Sequence, residues 1–344
     1  MISWIAILFT TTGALSQEKQ NTKQLLSRLS AQKDIAKRNE IIDNKFIIIG
    51  NKPPHGIVSR EVTTTDTIYH FQADNKANRI EFTTCFASEI NLKGVTSKKR
   101  ETLSKIKKLY KYSHQGNYGD LVTYEWSVRF PEKLTKQHGG IFAQWHGRPD
   151  RSLLKNPRGE LKYWNENTFA SMLDTMYFKK NIGYSYKTKR KNGWQVEQSA
   201  GGPIGAFIIK EGDIYLIMRS DANRMSDPSF KVRPKPFNDK YKDVGKDGKF
   251  GSVVYENKIS SIAFNQWIKM KVEIKYSTYS KTEDLSTSKG RVKVWINNKM
   301  VADWKGYVGK NDIQGPYFKF GIYKPKELGL KVDCKNLNIN IETK

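Results

Sequence analysis

The chain has 344 residues, 38% of them hydrophobic and 12% aromatic, so it carries enough apolar material for a packed core and is not a disordered polymer. Lysine and arginine total 60 against 34 acidic residues, which gives a formal net charge of +26. This surplus favours an acidic partner, namely nucleic acid, anionic membrane or acidic polysaccharide, and charge alone does not separate the three. The two cysteines, Cys85 and Cys334, exclude a disulfide-rich scaffold and are expected to be packed thiols.

The N-terminus begins with an apolar stretch from Ile2 to Leu15, followed by small residues and then charged ones. This pattern predicts a signal peptide over residues 1–16, a mature domain over residues 17–344, and a secreted or periplasmic location. A retained N-terminal anchor is the alternative. No later segment is long and apolar enough to span a bilayer, so no stable membrane insertion is expected.

Spaced leucines and isoleucines over residues 22–44 predict a short helix before a first strand at 46–50 (FIIIG). Strand patterns then dominate, with β-branched and aromatic runs at 124–130, 213–220, 267–277 and 291–297. Asn297 and Asn298 mark a hairpin turn. Many strands at short spacing predict an all-β sandwich or jelly roll, from which a segment of about 151–195, with a helix predicted at 166–180, projects as an insertion.

Two strand patterns carry residues suited to chemistry. In the segment 139–152, alternation puts Gln144 and His146 on one face and Ala143 and Trp145 on the other. The ordinary pKa of histidine, about 6.5, suits a general base at neutral pH. By itself, a histidine beside a tryptophan in a strand is more often structural.

The second pattern is PYFKFGIYK at 316–324. Its alternation places Phe318, Phe320 and Ile322 in the core and puts a cation, Lys319, and a phenol, Tyr323, on the opposite face. Gly321 between them leaves room for a ligand to approach the backbone. An ordinary tyrosine-rich amphipathic strand is the alternative.

Four motifs, in this order, resemble the heparin lyase I family of polysaccharide lyases: FAQWHGRPDR at 142–151, YFKKNIG at 177–183, NGWQVEQ at 192–198 and NDIQGPYFKFGIY at 311–323. The resemblance implies a β-jelly roll with a concave substrate canyon, a thumb-like insertion and a structural Ca²⁺ ion. It also implies β-elimination on the uronate of heparin or heparan sulfate.

The resemblance further assigns roles to residues. His146 matches the base that removes the C5 proton, and Tyr323 matches the acid that protonates the leaving oxygen at C4. Gln32 and Lys319 match residues that could neutralise the uronate carboxylate. The candidates for substrate binding are Arg79, Gln144, Trp145, Arg151, Lys179 and Lys180. The calcium ligands would be Glu197, Asn311 and Asp312, whose oxygen donors suit the ion.

The sequence departs from the family in two places: the loop at 113–121 has no cysteine, and Arg148 stands where an apolar residue is expected. The nearest rival is an alginate-type lyase with the same mechanism, over which the charge of +26 favours a sulfated substrate. A non-catalytic heparin-binding or nucleic-acid-binding module is a second rival, against which His146 and Tyr323 argue. A glycosidase is disfavoured because neither motif supplies paired carboxyl groups. We expect a monomer that acts on a sulfated glycosaminoglycan and not on nucleic acid.

Overall fold

The computed structural model describes residues 41–42, 46–50, 55–83, 116–147, 153–155, 158, 160–163, 195–196, 202–225, 249–312 and 315–343. Within these ranges the regular secondary structure consists of β-strands and one short 3₁₀ turn at Ile259–Ser261. Most strands belong to two large sheets.

The first large sheet has nine strands, and all its pairs are antiparallel except one. Its order is β1 (Ile41–Ile42), β2 (Phe46–Gly50), β5 (Arg79–Thr83), β20 (Tyr317–Tyr323), β7 (Gly140–His146), β11 (Gly205–Lys210), β12 (Asp213–Asp221) and β13 (Lys249–Lys258). The exception is β19 (Gly309–Lys310), which runs parallel to β12.

The second large sheet has seven antiparallel strands: β18 (Lys299–Gly306), β17 (Gly290–Ile296), β14 (Ile268–Lys275), β6 (Leu121–Arg129), β21 (Leu330–Glu342), β4 (Thr67–Ala73) and β3 (Gly56–Val62). Two small sheets complete the described residues. One contains β10 (Gln195–Val196), β8 (Leu153–Lys155) and β9 (Leu161–Tyr163), and the other contains β15 (Thr278–Tyr279) and β16 (Ser286–Ser288).

The chain crosses repeatedly between the two large sheets, as it does from β4 to β5, β6 to β7 and β20 to β21. Antiparallel sheets joined in this way form a jelly-roll sandwich. The fold predicted from the strand patterns is therefore confirmed.

Aromatic side chains from the inner faces of both sheets fill the centre of the sandwich. Tyr124 of β6 packs edge-on against Trp145 of β7, with ring centroids 5.4 Å apart, and lies 5.2 Å from the ring of Phe318 of β20. Trp126, the next inward residue of β6, also lies 5.4 Å from Phe318. Burial of rings of this size is a dominant source of stability, and it fixes which residues of β7 and β20 point outward.

The predicted strands coincide with observed ones, and β14 buries Ile268, Met270, Val272 and Ile274 in alternation as expected. Asn297 and Asn298 both have positive φ angles, 49° and 66°, as a two-residue hairpin turn requires. One prediction is wrong in part: Ile41 and Ile42, assigned to the first helix, instead pair with β2 as a short strand. Cys334 is a buried free thiol, as predicted.

The predicted signal peptide, Cys85 and the helix predicted at 166–180 lie outside the described residues, as does most of the predicted insertion. In the part of the chain that the structure covers, no helix has the length and apolar character needed to cross a membrane.

A charged network on the outer face of the seven-stranded sheet links β3, β4, β6 and β21. The Nδ1 atom of His70 lies 2.7 Å from Asp333 Oδ1, and its Nε2 atom lies 3.1 Å from Glu61 Oε2. Arg129 contacts the other oxygen of Asp333 through Nε at 2.8 Å. Both ring nitrogens can donate only when the imidazole is protonated. These hydrogen bonds, the one to Asp333 foremost, raise the pKa of His70 above its ordinary value of 6.5.

This network predicts a pH-dependent stability. Because the pKa of His70 is raised on folding, its contribution is fully present below the unfolded value of about 6.5 and is lost as the pH rises through the raised folded value. Between about pH 6 and about pH 9 we expect the unfolding free energy of the wild type to fall by about 1 kcal/mol through this effect. The loss is modest because His70 is partly exposed and solvent screens its ion pairs. Urea denaturation at both pH values measures it. His70→Gln should remove this component, and an unchanged pH dependence in that variant would contradict the role of His70.

Candidate active site

The three adjacent strands β5, β20 and β7 carry the residues singled out in the sequence on their outward side, which we call the site face. The pairing of β20 with β7 places Tyr317 opposite His146 and Lys319 opposite Gln144. The pairing of β20 with β5 places Tyr323 opposite Arg79. Residues far apart in the sequence are therefore brought together because a strand from the C-terminal part of the chain lies between two earlier ones.

His146 ends β7 with a partly exposed side chain. Burial in the fold, followed by the positive charges of Lys319 and Lys310, holds the pKa of His146 well below 6.5. Its Nδ1 atom lies 3.1 Å from the carbonyl oxygen of Gly147, which can only accept a hydrogen bond. The imidazole is therefore neutral at neutral pH, with its proton on Nδ1 and a lone pair on Nε2 that is available to take a proton.

Two phenols share the site face with His146. The ring of Tyr317 lies 5.7 Å from the imidazole, but its side chain is almost completely buried. Tyr323 is partly exposed and pairs with Ile141, five residues before His146 on β7. This spacing corresponds to about 16 Å between the backbones of Tyr323 and His146 at the usual strand rise, so the two side chains could act on one ligand only if that ligand lay between them.

A cation lies over each of these phenols. The guanidinium carbon of Arg79 is 4.6 Å from the centre of the Tyr323 ring, and the ammonium nitrogen of Lys319 is 5.3 Å from that of Tyr317. The side chain of Lys319 is only 2% exposed, so its charge acts from within the sheet face. The site face is therefore electropositive along β20, as an acidic ligand requires.

A carboxylate that the sequence analysis did not identify lies at the centre of the site face. Glu81 of β5 is 1% exposed; its Oε1 atom accepts a hydrogen bond from Nε2 of Gln144, and its Oε2 atom lies 3.9 Å from Nη1 of Arg79. Register explains the reach: Glu81 faces Gly321 of β20, which has no side chain, so the carboxylate can meet an amide on β7, the strand beyond.

The prediction that Trp145 binds substrate is wrong. Its ring has no exposed surface and packs in the core against Tyr124, Phe207 and Phe318. Alternation along β7 explains the placement, because Gln144 and His146 point outward and Trp145 between them must point inward.

Asn311 and Asp312 follow β19 in a buried loop, with 3% and 2% exposure. The amide nitrogen of Asn311 donates to three backbone carbonyl oxygens, those of Ala222, Ser280 and Glu283, at 2.9 to 3.2 Å. Its Oδ1 atom therefore points away from them. One carboxylate oxygen of Asp312 lies only 2.7 Å from the point where a Cβ on Gly147 would stand. Uncharged and anionic oxygens held in one buried loop fit Ca²⁺ as a donor set.

Among the described residues, no cluster of three or more histidine, cysteine, aspartate or glutamate side chains is arranged to hold a metal ion. The third predicted ligand, Glu197, lies outside the described residues, as do the other candidates Gln32, Arg151, Lys179 and Lys180.

A model of the polysaccharide lyase family matches residues 61–339, most of the chain and all three strands of the site face. The chain belongs to the polysaccharide lyase family. It is 28% identical over 350 residues to heparin lyase I of Pedobacter heparinus, and the match covers 91% of this chain and 90% of that protein.

Two solved structures of polysaccharide lyases were also matched. One is an endo-β-1,4-glucuronan lyase from the fungus Trichoderma reesei, which is 10% identical to this chain. The match covers 85% of this chain and 90% of the glucuronan lyase, with a TM-score of 0.43. The other is the family 7 alginate lyase A1-II′, which is 12% identical to this chain. The match covers 83% of this chain and 84% of the alginate lyase, with a TM-score of 0.37. At these values the two likenesses bear on neither substrate nor mechanism.

In this polysaccharide lyase, sequence reasoning missed Glu81 and Lys310, and it placed Tyr317 on the outward face of its strand without giving it a role. Glu81 stands two residues after Arg79 on the same strand, and alternation alone would have placed both on one face. Lys310 precedes the predicted calcium ligands, and its charge lowers the pKa of His146. Tyr317 begins the strand of Lys319 and Tyr323 and faces His146 directly.

The position of Gly321 generates a test of the site face. Its φ of 126° disfavours other residues, and an added Cβ would stand 2.5 Å from the carbonyl oxygen of Ile80 and 2.8 Å from the Cα of Glu81. We expect Gly321→Ala to lower the unfolding free energy by about 3 kcal/mol, measured by chemical denaturation. Gly251→Ala is the matched control, because the nearest atom to its added Cβ is 4.0 Å away. Equal stability of the two variants would refute the strained backbone and close approach at Gly321.

Proposed function

We propose that this polysaccharide lyase cleaves heparin or heparan sulfate by β-elimination, with His146 as the base and Tyr323 as the acid. The observation that carries the proposal is the geometry at His146: its Nδ1 atom faces the Gly147 carbonyl oxygen, which leaves Nε2 for proton transfer, on an electropositive face that also presents a partly exposed phenol. Burial and the nearby lysines lower the pKa of the imidazole, which favours its neutral form. A binding module would need neither group.

The chemistry explains why the cations stand beside the base. Removing the proton at C5 of a uronate puts negative charge on the neighbouring carboxylate, and the reaction is slow unless donors stabilise that charge. We assign this role to Lys319, Arg79 and the Gln144 amide, which share the site face with His146. Tyr323 then gives its proton to the oxygen leaving C4. With the other uronate epimer, Tyr323 could serve as both base and acid.

Two observations support a sulfated glycosaminoglycan over an unsulfated uronate polymer. The matched relative is a heparin lyase I. The net charge of +26 favours a sulfated chain over one that carries carboxylates alone. We propose Arg151, Lys179 and Lys180 as further contacts to the substrate, and Gln32 as a further donor to the uronate carboxylate.

We also propose that the chain is exported after removal of residues 1–16, which matches the extracellular occurrence of its substrate class. The apolar stretch that precedes the first charged run supports this. A monomer bearing one site is sufficient for the proposed reaction.

The proposed function predicts new ultraviolet absorbance, from unsaturated uronate, when the protein is mixed with heparin or heparan sulfate. Chondroitin sulfate and alginate should give much less. We expect His146→Ala and Tyr323→Phe each to lower kcat by about 100- to 10,000-fold, because each removes a proton-transfer group. The pH profile of kcat/KM should have its acid limb below pH 6.5, since the imidazole of His146 is a base only when unprotonated.

His55→Ala is the matched control, because His55 pairs with Asp74 in the turn before β3 of the other sheet. It should keep full activity. If only alginate were cleaved, the proposal of a heparin substrate would be wrong and the protein would be an alginate-type lyase. Retained turnover in His146→Ala would remove the proposed base.

We propose that Ca²⁺ binds Asn311, Asp312 and Glu197 as a structural ion. When bound it would supply a positive charge that holds the loop after β19, and that loop abuts Gly147 beside the base. Addition of Ca²⁺ at about 100 times its dissociation constant would then stabilise the fold by about 2.7 kcal/mol.

Chelation should therefore lower the thermal unfolding midpoint and the activity together, as calorimetry and the absorbance assay would show. Asp312→Asn should lose the calcium-dependent increment in the midpoint. The control Asp303→Asn, which alters an exposed carboxylate paired with Arg291 on the other sheet, should keep it. Loss of activity on chelation with an unchanged midpoint would contradict a structural role.

A further inference from the structure

The buried carboxylate of Glu81 has no step of its own in the elimination, yet it lies among the residues that do. The negative charge of Glu81 would repel an acidic substrate and so oppose its binding to the site face. The 1% exposure of Glu81 also means that it was removed from water, which costs free energy unless its partners compensate. Such a group needs an account beyond packing.

Its contacts give that account. The Gln144 amide nitrogen has two hydrogens, and one of them is donated to Glu81 Oε1. This contact fixes the orientation of the Gln144 side chain, which is 2% exposed, and uses only one of the two hydrogens. The same carboxylate, through Oε2, lies 3.9 Å from Arg79 Nη1.

Arg79 in turn lies over the ring of Tyr323, with its guanidinium carbon 4.6 Å from the ring centre. Glu81 is therefore one anchor for two donors that stand on different strands, Gln144 on β7 and Arg79 on β5. Gly321 of β20 stands opposite Glu81, and an added Cβ there would come within 2.8 Å of the Glu81 Cα, so the close approach of β20 to this residue requires a glycine.

We propose that Glu81 is a positioning residue of this lyase, which orients Gln144 and Arg79 toward the uronate carboxylate. This inference rests on the proposed function and extends it. Donors must already point at the place where charge develops if they are to stabilise the transition state, and a small misplacement costs a large factor in rate. Glu81 itself touches neither the substrate nor the proton in flight.

The test is a double-mutant cycle between Glu81 and Gln144, in which kcat of each variant on heparin is measured by the ultraviolet assay. We expect Glu81→Ala to lower kcat by about 10- to 100-fold with little change in KM, because overall attraction of the polyanion comes from the whole surface. In a Gln144→Ala background the same substitution should cost less than in the wild type, since residues that act through one another are not additive. A purely structural role would give additive losses in kcat.

Glu81→Gln separates the charge from the hydrogen bond and avoids a cavity. It keeps the shape and an acceptor for Gln144 but loses the attraction for Arg79, so its kcat should fall between those of the wild type and Glu81→Ala. The control Glu125→Gln removes a carboxylate from the outer face of the other sheet and should leave kcat unchanged.

The outcomes are distinguishable. If the wild type shows no turnover on any of the four polysaccharides, the proposed function fails, and the role of Glu81 fails with it. If the wild type is active but the losses from Glu81→Ala and Gln144→Ala are additive, or Glu81→Gln is as slow as Glu81→Ala, only the positioning role is overturned.

Discussion

The position of β20 between β5 and β7 is the constraint on which the rest of the site depends. Phe318 and Phe320 anchor β20 in the aromatic core, and Trp145 anchors β7 beside it. With the inward residues fixed in this way, Lys319, Gln144 and His146 have to point outward together. A shift of one residue in the pairing would exchange the two faces and bury the chemistry in the core. The core therefore determines the active-site geometry as well as the stability.

The electrostatics of the site face impose opposite demands on its residues. Burial, followed by the cations beside His146, lowers the pKa of the imidazole, which favours the neutral form that a base requires but also makes it a weaker base. The same cations can make the substrate a stronger carbon acid by stabilising the charge that appears on its carboxylate. An elimination can proceed with a weak base if the proton to be removed is made more acidic in this way. In the proposed elimination, the position of Lys319 beside both His146 and Gln144 would serve both ends of the proton transfer.

Alternation of apolar and polar residues was sufficient to predict the strands, the two faces of β20 and the outward direction of His146. It could not supply the strand order, because which strands pair is decided by packing between segments hundreds of residues apart, such as β5 and β20. Glu81 was missed for that reason: its importance arises from Gly321 and Gln144, which lie on two other strands. Trp145 was misassigned because the resemblance drew attention to a motif, whereas period-two alternation already placed that ring in the core. Ile41 and Ile42 were assigned to a helix on the spacing of apolar residues alone, and pairing with β2 overrode that spacing.

Reaction and specificity are separable in this molecule. The acidity of the C5 proton depends on the carboxylate next to it, and the groups proposed to act there stand on β5, β20 and β7. If the substrate is sulfated, the sulfates add charges at other positions of the ring and would be bound by cations at a distance from His146. The proposed candidates, Arg151, Lys179 and Lys180, fall within the insertion predicted at about 151–195. A lyase could therefore change its substrate by altering the insertion while the paired strands, and the mechanism they hold, stay the same.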